Sequence, residues 1–110
     1  MNSIKNRVQL TGNLGAMPEV KNLENGNKVA RFSVATSEDY LNKKGDKITT
    51  TQWHNIVAWG KLAGIAEQLL KKGEQVIIDG KLSTRSYTAK DGSKRYITEV
   101  IAQELLVNKK

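Results

Sequence analysis

Rings and cations alternate along two stretches of this chain. In residues 51–60, Trp53, Asn55, Val57 and Trp59 fall on one parity, and His54, Ile56 and Ala58 on the other. Side chains of an extended strand point alternately to its two faces, so both tryptophans of the protein face the same way. In Gln75–Thr88, Lys81, Arg85 and Tyr87 likewise share a parity. Tyr40 sits in a polar stretch with Lys43, Lys44 and Lys47, while Lys90, Lys94 and Arg95 surround the turn residues Asp91-Gly92. Flat rings interleaved with cations are what a single-stranded nucleic acid needs. Its unpaired bases stack on rings for about 1–3 kcal/mol each, and lysine and arginine displace the counterions of its phosphates. A duplex hides its base faces, so open rings would contribute little to binding one. The competing reading places each ring in the core or at a subunit interface, which is the commoner fate of a single aromatic. Four rings set among so many cations favour a binding face.

Composition narrows the partner. The chain has 110 residues, 38% hydrophobic and 26% charged, which fits one folded domain over 1–110. Its net charge is +7, from 18 Lys+Arg against 11 Asp+Glu. A small basic domain is expected to meet an anionic partner, nucleic acid first, although positive charge also serves solubility alone. The absence of cysteine excludes disulfides and thiolate metal sites. No apolar run approaches the ~20 residues of a membrane-spanning helix. The amino terminus has no secretory apolar segment, so the expected location is the cytoplasm.

Other chemistries fare poorly. His54 is the only histidine and has no acidic or cysteine companions, so neither a metal nor another cofactor is expected. Its parity opposes the tryptophans, which suits packing or an interface. Ser, His and Asp occur without the arrangement nucleophilic catalysis requires, and no enzyme activity is expected. Gly60-Lys61-Leu62 looks like the end of a phosphate-binding loop but lacks the earlier glycine and the following Ser/Thr. It reads as a strand end followed by a groove or helix-start lysine. Asp91-Gly92 is a turn, too short for a calcium loop.

The elements that must position these residues follow from periodicity. Ile4 to Gly12 alternates, and Gly12-Asn-Leu-Gly15 with Pro18 is expected to end that strand. Asn25-Gly26 is a hairpin-type turn. Lys28 to Thr36 alternates with Ala30, Phe32, Val34 and Thr36 inward. Glu38 to Ile48 is expected to be a long hairpin loop or arm leading into the tryptophan strand. Lys61 to Lys72 predicts the one helix, with Leu62, Ile65, Ala66 and Leu69 as its apolar stripe and Gly73 just past its end. Gly64 inside it argues for a short helix. Gln75 to Thr88 and Tyr96 to Val107 are long strands, and Gly80 marks a sharp bend or bulge in the first of them. Three strands, one helix and two strands predict an all-β OB-fold: a five-stranded Greek-key barrel with a helix between the third and fourth strands.

Six segments resemble the bacterial single-stranded DNA-binding protein family. They are Asn6-Arg-Val-Gln-Leu-Thr-Gly-Asn-Leu-Gly15 with Pro18-Glu-Val20, Phe32-Ser-Val-Ala-Thr-Ser37, Trp53-His-Asn-Ile-Val-Ala-Trp-Gly-Lys-Leu-Ala63, Leu70-Lys-Lys-Gly73, Gly80-Lys-Leu-Ser-Thr-Arg-Ser-Tyr87 and Asp91-Gly-Ser-Lys-Arg-Tyr-Ile-Thr-Glu-Val100. They span nearly the whole chain in family order. The resemblance implies an OB-fold, usually a homotetramer, that binds and protects single-stranded DNA in replication, recombination and repair. It carries base stacking onto Tyr40, Trp53, Trp59 and Tyr87, although Tyr40 and Tyr87 stand where tryptophan is frequent and Trp59 where phenylalanine is. It carries cationic contacts onto Lys61, Lys72, Arg85 and Arg95, beside which Lys81 and Lys94 join the expected set, and a subunit-interface role onto His54. Typical members continue into a disordered tail with an acidic tip that recruits repair and replication proteins. This chain stops at the basic Lys110, so tail-mediated partners are not expected of it. RNA is a competing ligand, since nothing here reads a 2′-hydroxyl. A related OB-fold that assembles a replication-restart complex, touching DNA only secondarily, is the alternative function.

Overall fold

The computed structural model describes residues 5–108. In chain order it contains β1 (Val8–Leu14), β2 (Glu19–Asn22), β3 (Lys28–Leu41), β4 (Lys47–Trp59), α1 (Lys61–Leu69), β5 (Gln75–Thr88) and β6 (Lys94–Asn108). The sheet order is β1-β5-β6-β4-β3-β2, and β1 also pairs with β3. That extra pairing closes β1, β5, β6, β4 and β3 into a five-stranded barrel, with β4 and β6 as the parallel pair. The expected OB-fold is present, and the helix lies between the third and fourth barrel strands. The short β2 was not foreseen. It extends β3 outward from the barrel, and the expected turn at Asn25-Gly26 joins the two, both residues having positive φ.

Alternation builds the core. Ala30, Phe32 and Val34 of β3, Ile56 and Ala58 of β4, Val76 and Ile78 of β5 and Val100 and Ala102 of β6 point inward and are buried. Where sequence periodicity ended the first strand at Gly12, the structure carries β1 on to the buried Leu14. Gly12 is a crossing point and not a break. A Cβ there would lie 2.2 Å from the Ala35 carbonyl oxygen, so only glycine lets β1 come close enough to pair Asn13 with Ala35. Gly80 plays the same part against the Ile101 carbonyl, and the register slips by one residue beside it, although the extra residue, Gln103, belongs to β6 and not to the strand that carries Gly80.

The helix is shorter than expected and rotated. It ends at Leu69; Leu70 leaves in extended conformation while its N–H still bonds the Ala66 carbonyl at 3.0 Å. Ala63, Ala66 and Leu70 are the fully buried positions, Leu62 packs partly against the core, and Ile65 and Leu69 are exposed. Two alanines let the helix sit close over the barrel mouth, and Leu70 fills the space beyond its end. Lys71, Lys72 and Gly73 therefore lie in the turn before β5 and do not cap the helix. Gly73, with φ of 88°, donates to the Leu14 carbonyl at 2.8 Å and ties that turn to the end of β1.

Candidate nucleic-acid interface

The outer face of the barrel can be read from strand registers. Ala35 pairs with Trp53, Ser33 with Asn55, Arg31 with Val57 and Val29 with Trp59 across β3 and β4. Val57 lies beside Ile101 of β6, which pairs with Lys81 of β5. On the same parity Glu99 pairs with Ser83, Ile97 with Arg85 and Arg95 with Tyr87. One continuous face over β3, β4, β6 and β5 therefore carries Trp53, Trp59, Tyr87, Arg31, Lys81, Arg85 and Arg95. Trp53 is 62% exposed, Trp59 49% and Tyr87 45%, so the rings stand open and are not core residues. Val57, on the same parity between the tryptophans, is buried and forms part of the floor. At about 3.3 Å per residue, the two indoles are attached roughly 20 Å apart along β4.

Trp53 does not stand free. Its benzo edge lies over Gly15, where an added Cβ would fall 2.5 Å from Cζ3. Gly15 is itself held by its N–H bond to the Ser33 carbonyl at 3.0 Å. The ring thus reaches across Ala35 onto the end of β1, with its remaining surface toward solvent.

The other expected positions divide. Lys61 begins α1, two residues beyond Trp59, and is exposed. Among the described residues Lys61, Lys72 and Lys81 make no ion pair, so their charge is free for an outside anion. Arg95 is 3.6 Å from Asp91 in the β5–β6 turn. The Asp91 carboxyl is held below its usual pKa, first by the Ser93 hydroxyl that donates to it at 2.6 Å. Lys94 pairs with Thr88 on the reverse face of the hairpin, its ammonium 5.6 Å from the centre of the Tyr96 ring, and so is not gathered with the tryptophans. Tyr40 also departs from them. The expected arm over residues 38–48 is a paired hairpin extension whose turn spans residues 42–46, and Tyr40 pairs with Ile48 on the parity of Val34 and His54. It is 53% exposed, on the other side of that ladder from Trp53. His54 is half-buried on the inward parity, its Nε2 hydrogen-bonded to Thr36 Oγ1 at 2.9 Å.

Two residues of this face went unnoticed in the sequence. Glu99 is buried at the centre of the cationic surface and accepts from Arg31 Nη1 at 3.3 Å and Arg85 Nε at 3.0 Å. The three lie on different strands, and only Arg31's outward parity hinted at its place. Among the described residues no group of three or more His, Cys, Asp or Glu could hold a metal ion, and no helix is long and apolar enough to cross a membrane.

A closed barrel with a helix between its third and fourth strands, bearing open rings and cationic side chains on a single face, belongs to the OB-fold class of oligonucleotide-binding folds. Residues 5–107 match the single-strand binding protein family, and the chain belongs to it. It is 46% identical over 101 residues to single-stranded DNA-binding protein 1 of Chlorobaculum tepidum, covering 91% of this chain and 62% of that protein. It is 45% identical over 100 residues to the single-stranded DNA-binding protein of Neisseria meningitidis, covering 91% of this chain and 58% of the relative. The chain thus spans about three-fifths of the length of these relatives. Among solved structures, the single-strand binding protein of Plasmodium falciparum in complex with single-stranded DNA matches with a TM-score of 0.87 at 31% identity, over 99% of this chain and 100% of that one. A deletion mutant of the single-stranded DNA-binding protein of Thermus aquaticus matches with a TM-score of 0.81 at 25% identity, over 94% of this chain and 50% of that one.

Proposed function

We propose that this chain, as one domain over residues 1–110, binds single-stranded DNA without reading its sequence and protects it during replication, recombination and repair. The observation that carries this reading is the pair of open indoles, Trp53 and Trp59, on a face where Lys81 has no counter-ion among the described residues. In this reading bases stack on Trp53, Trp59 and Tyr87, and Lys61, Lys72, Lys81, Arg85 and Arg95 follow the phosphates. Tyr40 and Lys94 meet the strand where it passes around the two hairpins onto their reverse faces. The chain acts by occupancy and not by catalysis, and its place is the bacterial cytoplasm with the nucleoid.

Assembly into a homotetramer fits a second surface. On the outer face of β1, β5 and β6, Ile77 pairs with Leu106, both exposed, next to the Arg7–Asp79 ion pair of 2.8 Å. An apolar pair on an otherwise polar sheet face suits burial against another copy, and His54 is assigned to a subunit contact.

The test is a tryptophan-fluorescence titration with oligo-thymidine at two salt concentrations. Trp53→Ala and Trp59→Ala are each expected to lower affinity roughly 5- to 150-fold, the equivalent of about 1–3 kcal/mol of stacking. Parental binding by both variants would end the stacking reading. Competition by oligo-uridine against oligo-thymidine decides between RNA and DNA.

A further inference from the structure

A buried carboxylate at the centre of a face that must attract phosphates works against that attraction unless it contributes something in return. Glu99 is 7% exposed, on β6, and receives Arg85 from the adjacent β5 and Arg31 from β3, which reaches it across β4. The two arginine side chains are 45% and 48% exposed. A guanidinium carries five N–H donors. Each arginine gives one of these to Glu99 and keeps the others, with about half of its surface toward solvent. Two guanidiniums placed this near each other repel. The carboxylate between them offsets the repulsion and fixes both planes, leaving the triad with one net positive charge.

Its surroundings point to the same use. A cleft of about 260 Å³ adjoins Arg31 and Glu99, lined also by Ser33, Asn55, Val57 and Ile97. Asn55 and Val57 lie between Trp53 and Trp59 in sequence and on their face. A strand stacked on both indoles has to carry its backbone over this cleft. Among the described residues the Asn55 amide has no hydrogen-bond partner, so it too is available there.

We propose that Arg31 is a further DNA-contacting residue, and that Glu99 is a positioning residue that presents Arg31 and Arg85 as a preset clamp for the phosphodiester backbone between the two tryptophans. The proposal rests on the single-strand binding reading. It differs from a simple cross-strand staple, in which the three residues only hold β3, β6 and β5 together. It differs also from simple charge counting, in which Glu99 only repels the ligand.

The sign of one effect separates these. Glu99→Gln adds a positive charge to the face, so charge counting predicts tighter binding to oligo-thymidine. The clamp predicts weaker binding, by roughly two- to fivefold at low salt, because the forks lose their fixed orientation. Arg31→Ala is expected to weaken binding by a similar factor. It should also make the salt dependence shallower by about 0.7 in the log–log slope, because one phosphate fewer is neutralised. Saturating fluorescence quenching stays parental in both variants, since the indoles are untouched. Tighter binding by Glu99→Gln overturns the positioning role, and an unchanged slope for Arg31→Ala overturns the direct role of Arg31 at the phosphates. If Arg31→Ala does not fold, Arg31→Lys takes its place. It keeps the charge but lacks the planar fork, and affinity equal to the parent refutes the clamp. Trp53→Ala in the same series keeps the two readings apart: loss of quenching there, with parental behaviour at Arg31 and Glu99, sinks the clamp and leaves strand binding standing.

Discussion

Gly12 and Gly15 lie three residues apart at the end of β1, and adding one methyl to each is expected to damage different things. At Gly12 the new Cβ meets backbone, 2.2 Å from the Ala35 carbonyl oxygen and 2.9 Å from its carbon. That backbone cannot retreat without opening the β1–β3 pairing at Asn13–Ala35, the seam that closes the barrel. Overpacking of about 1–3 kcal/mol is then joined by broken ladder bonds, for a total of about 3 kcal/mol or more. At roughly 4–8 °C per kcal/mol, Gly12→Ala is expected to lower Tm by about 12–24 °C. At Gly15 the new Cβ meets a side chain, 2.5 Å from Trp53 Cζ3 and 3.0 Å from Cη2. Ordinary contact is about 3.5 Å, so the ring has to withdraw by about 1 Å. Trp53 is 62% exposed and can turn outward. Gly15 also lacks the positive φ that would strain an alanine. A rotamer shift costs about 0.5–1.5 kcal/mol, while Gly→Ala returns about 0.4–1 kcal/mol through the unfolded chain. Stability should therefore change by less than about 1 kcal/mol.

Binding is where Gly15→Ala is expected to show. If the displaced indole loses about half of its stacking, some 0.5–1.5 kcal/mol, affinity for oligo-thymidine falls roughly 2- to 13-fold. A double-mutant cycle isolates the cause: in the Trp53→Ala background, Gly15→Ala should do nothing further to binding. Fluorescence titrations of the four proteins of the cycle, and thermal melts of these and of Gly12→Ala, make the measurement. The reasoning fails if Gly15→Ala melts as early as Gly12→Ala, or if it weakens binding equally with and without the Trp53 ring.

Leu70→Ala should cost about 2–5 kcal/mol by chemical denaturation, because Leu70 is buried beyond the helix end. Leu69→Ala, on the exposed side of α1, should cost less than about 1 kcal/mol, and the reverse order would contradict the observed helix rotation. The Asp91 carboxyl should titrate below its ordinary range in an NMR pH series, and Ser93→Ala should raise its midpoint; an unmoved midpoint would discount the hydroxyl. The folded-state pKa is the lower one, so the associated stabilisation is present at neutral pH and is lost as pH falls through that value. Leu106→Glu with Ile77→Glu should yield a smaller assembly in sedimentation, and an unchanged mass would remove that sheet face from subunit contact.

Residues whose roles depend on immediate neighbours were legible from the sequence. Trp53 and Trp59 fall on one outer face by parity alone, and the long strand at Gln75–Thr88 is irregular at Gly80 as expected, with the extra residue on the partner strand β6. Errors arose where a local pattern has two physical solutions. A glycine in an alternating stretch marks either a turn or a close crossing, and Gly12 proved to be a crossing because Ala35 lies against it. The stripe Leu62, Ile65, Ala66 and Leu69 found the apolar side of α1, but the barrel mouth accepts the small Ala63 and Ala66 and leaves Ile65 and Leu69 outside.

From its own order of residues the chain determined a basic, cysteine-free, strand-rich domain with its tryptophans on one side, because alternation and composition are local properties. Tertiary structure alone decided that Trp53 rests on Gly15, that Tyr40 lies across the arm from it, and that Glu99 joins Arg31 and Arg85. Arg31 and Glu99 are 68 positions apart, and no periodicity carries information over such a distance. Only the closing of β1 on β3, and of β4 on β6, brings those side chains to a common surface.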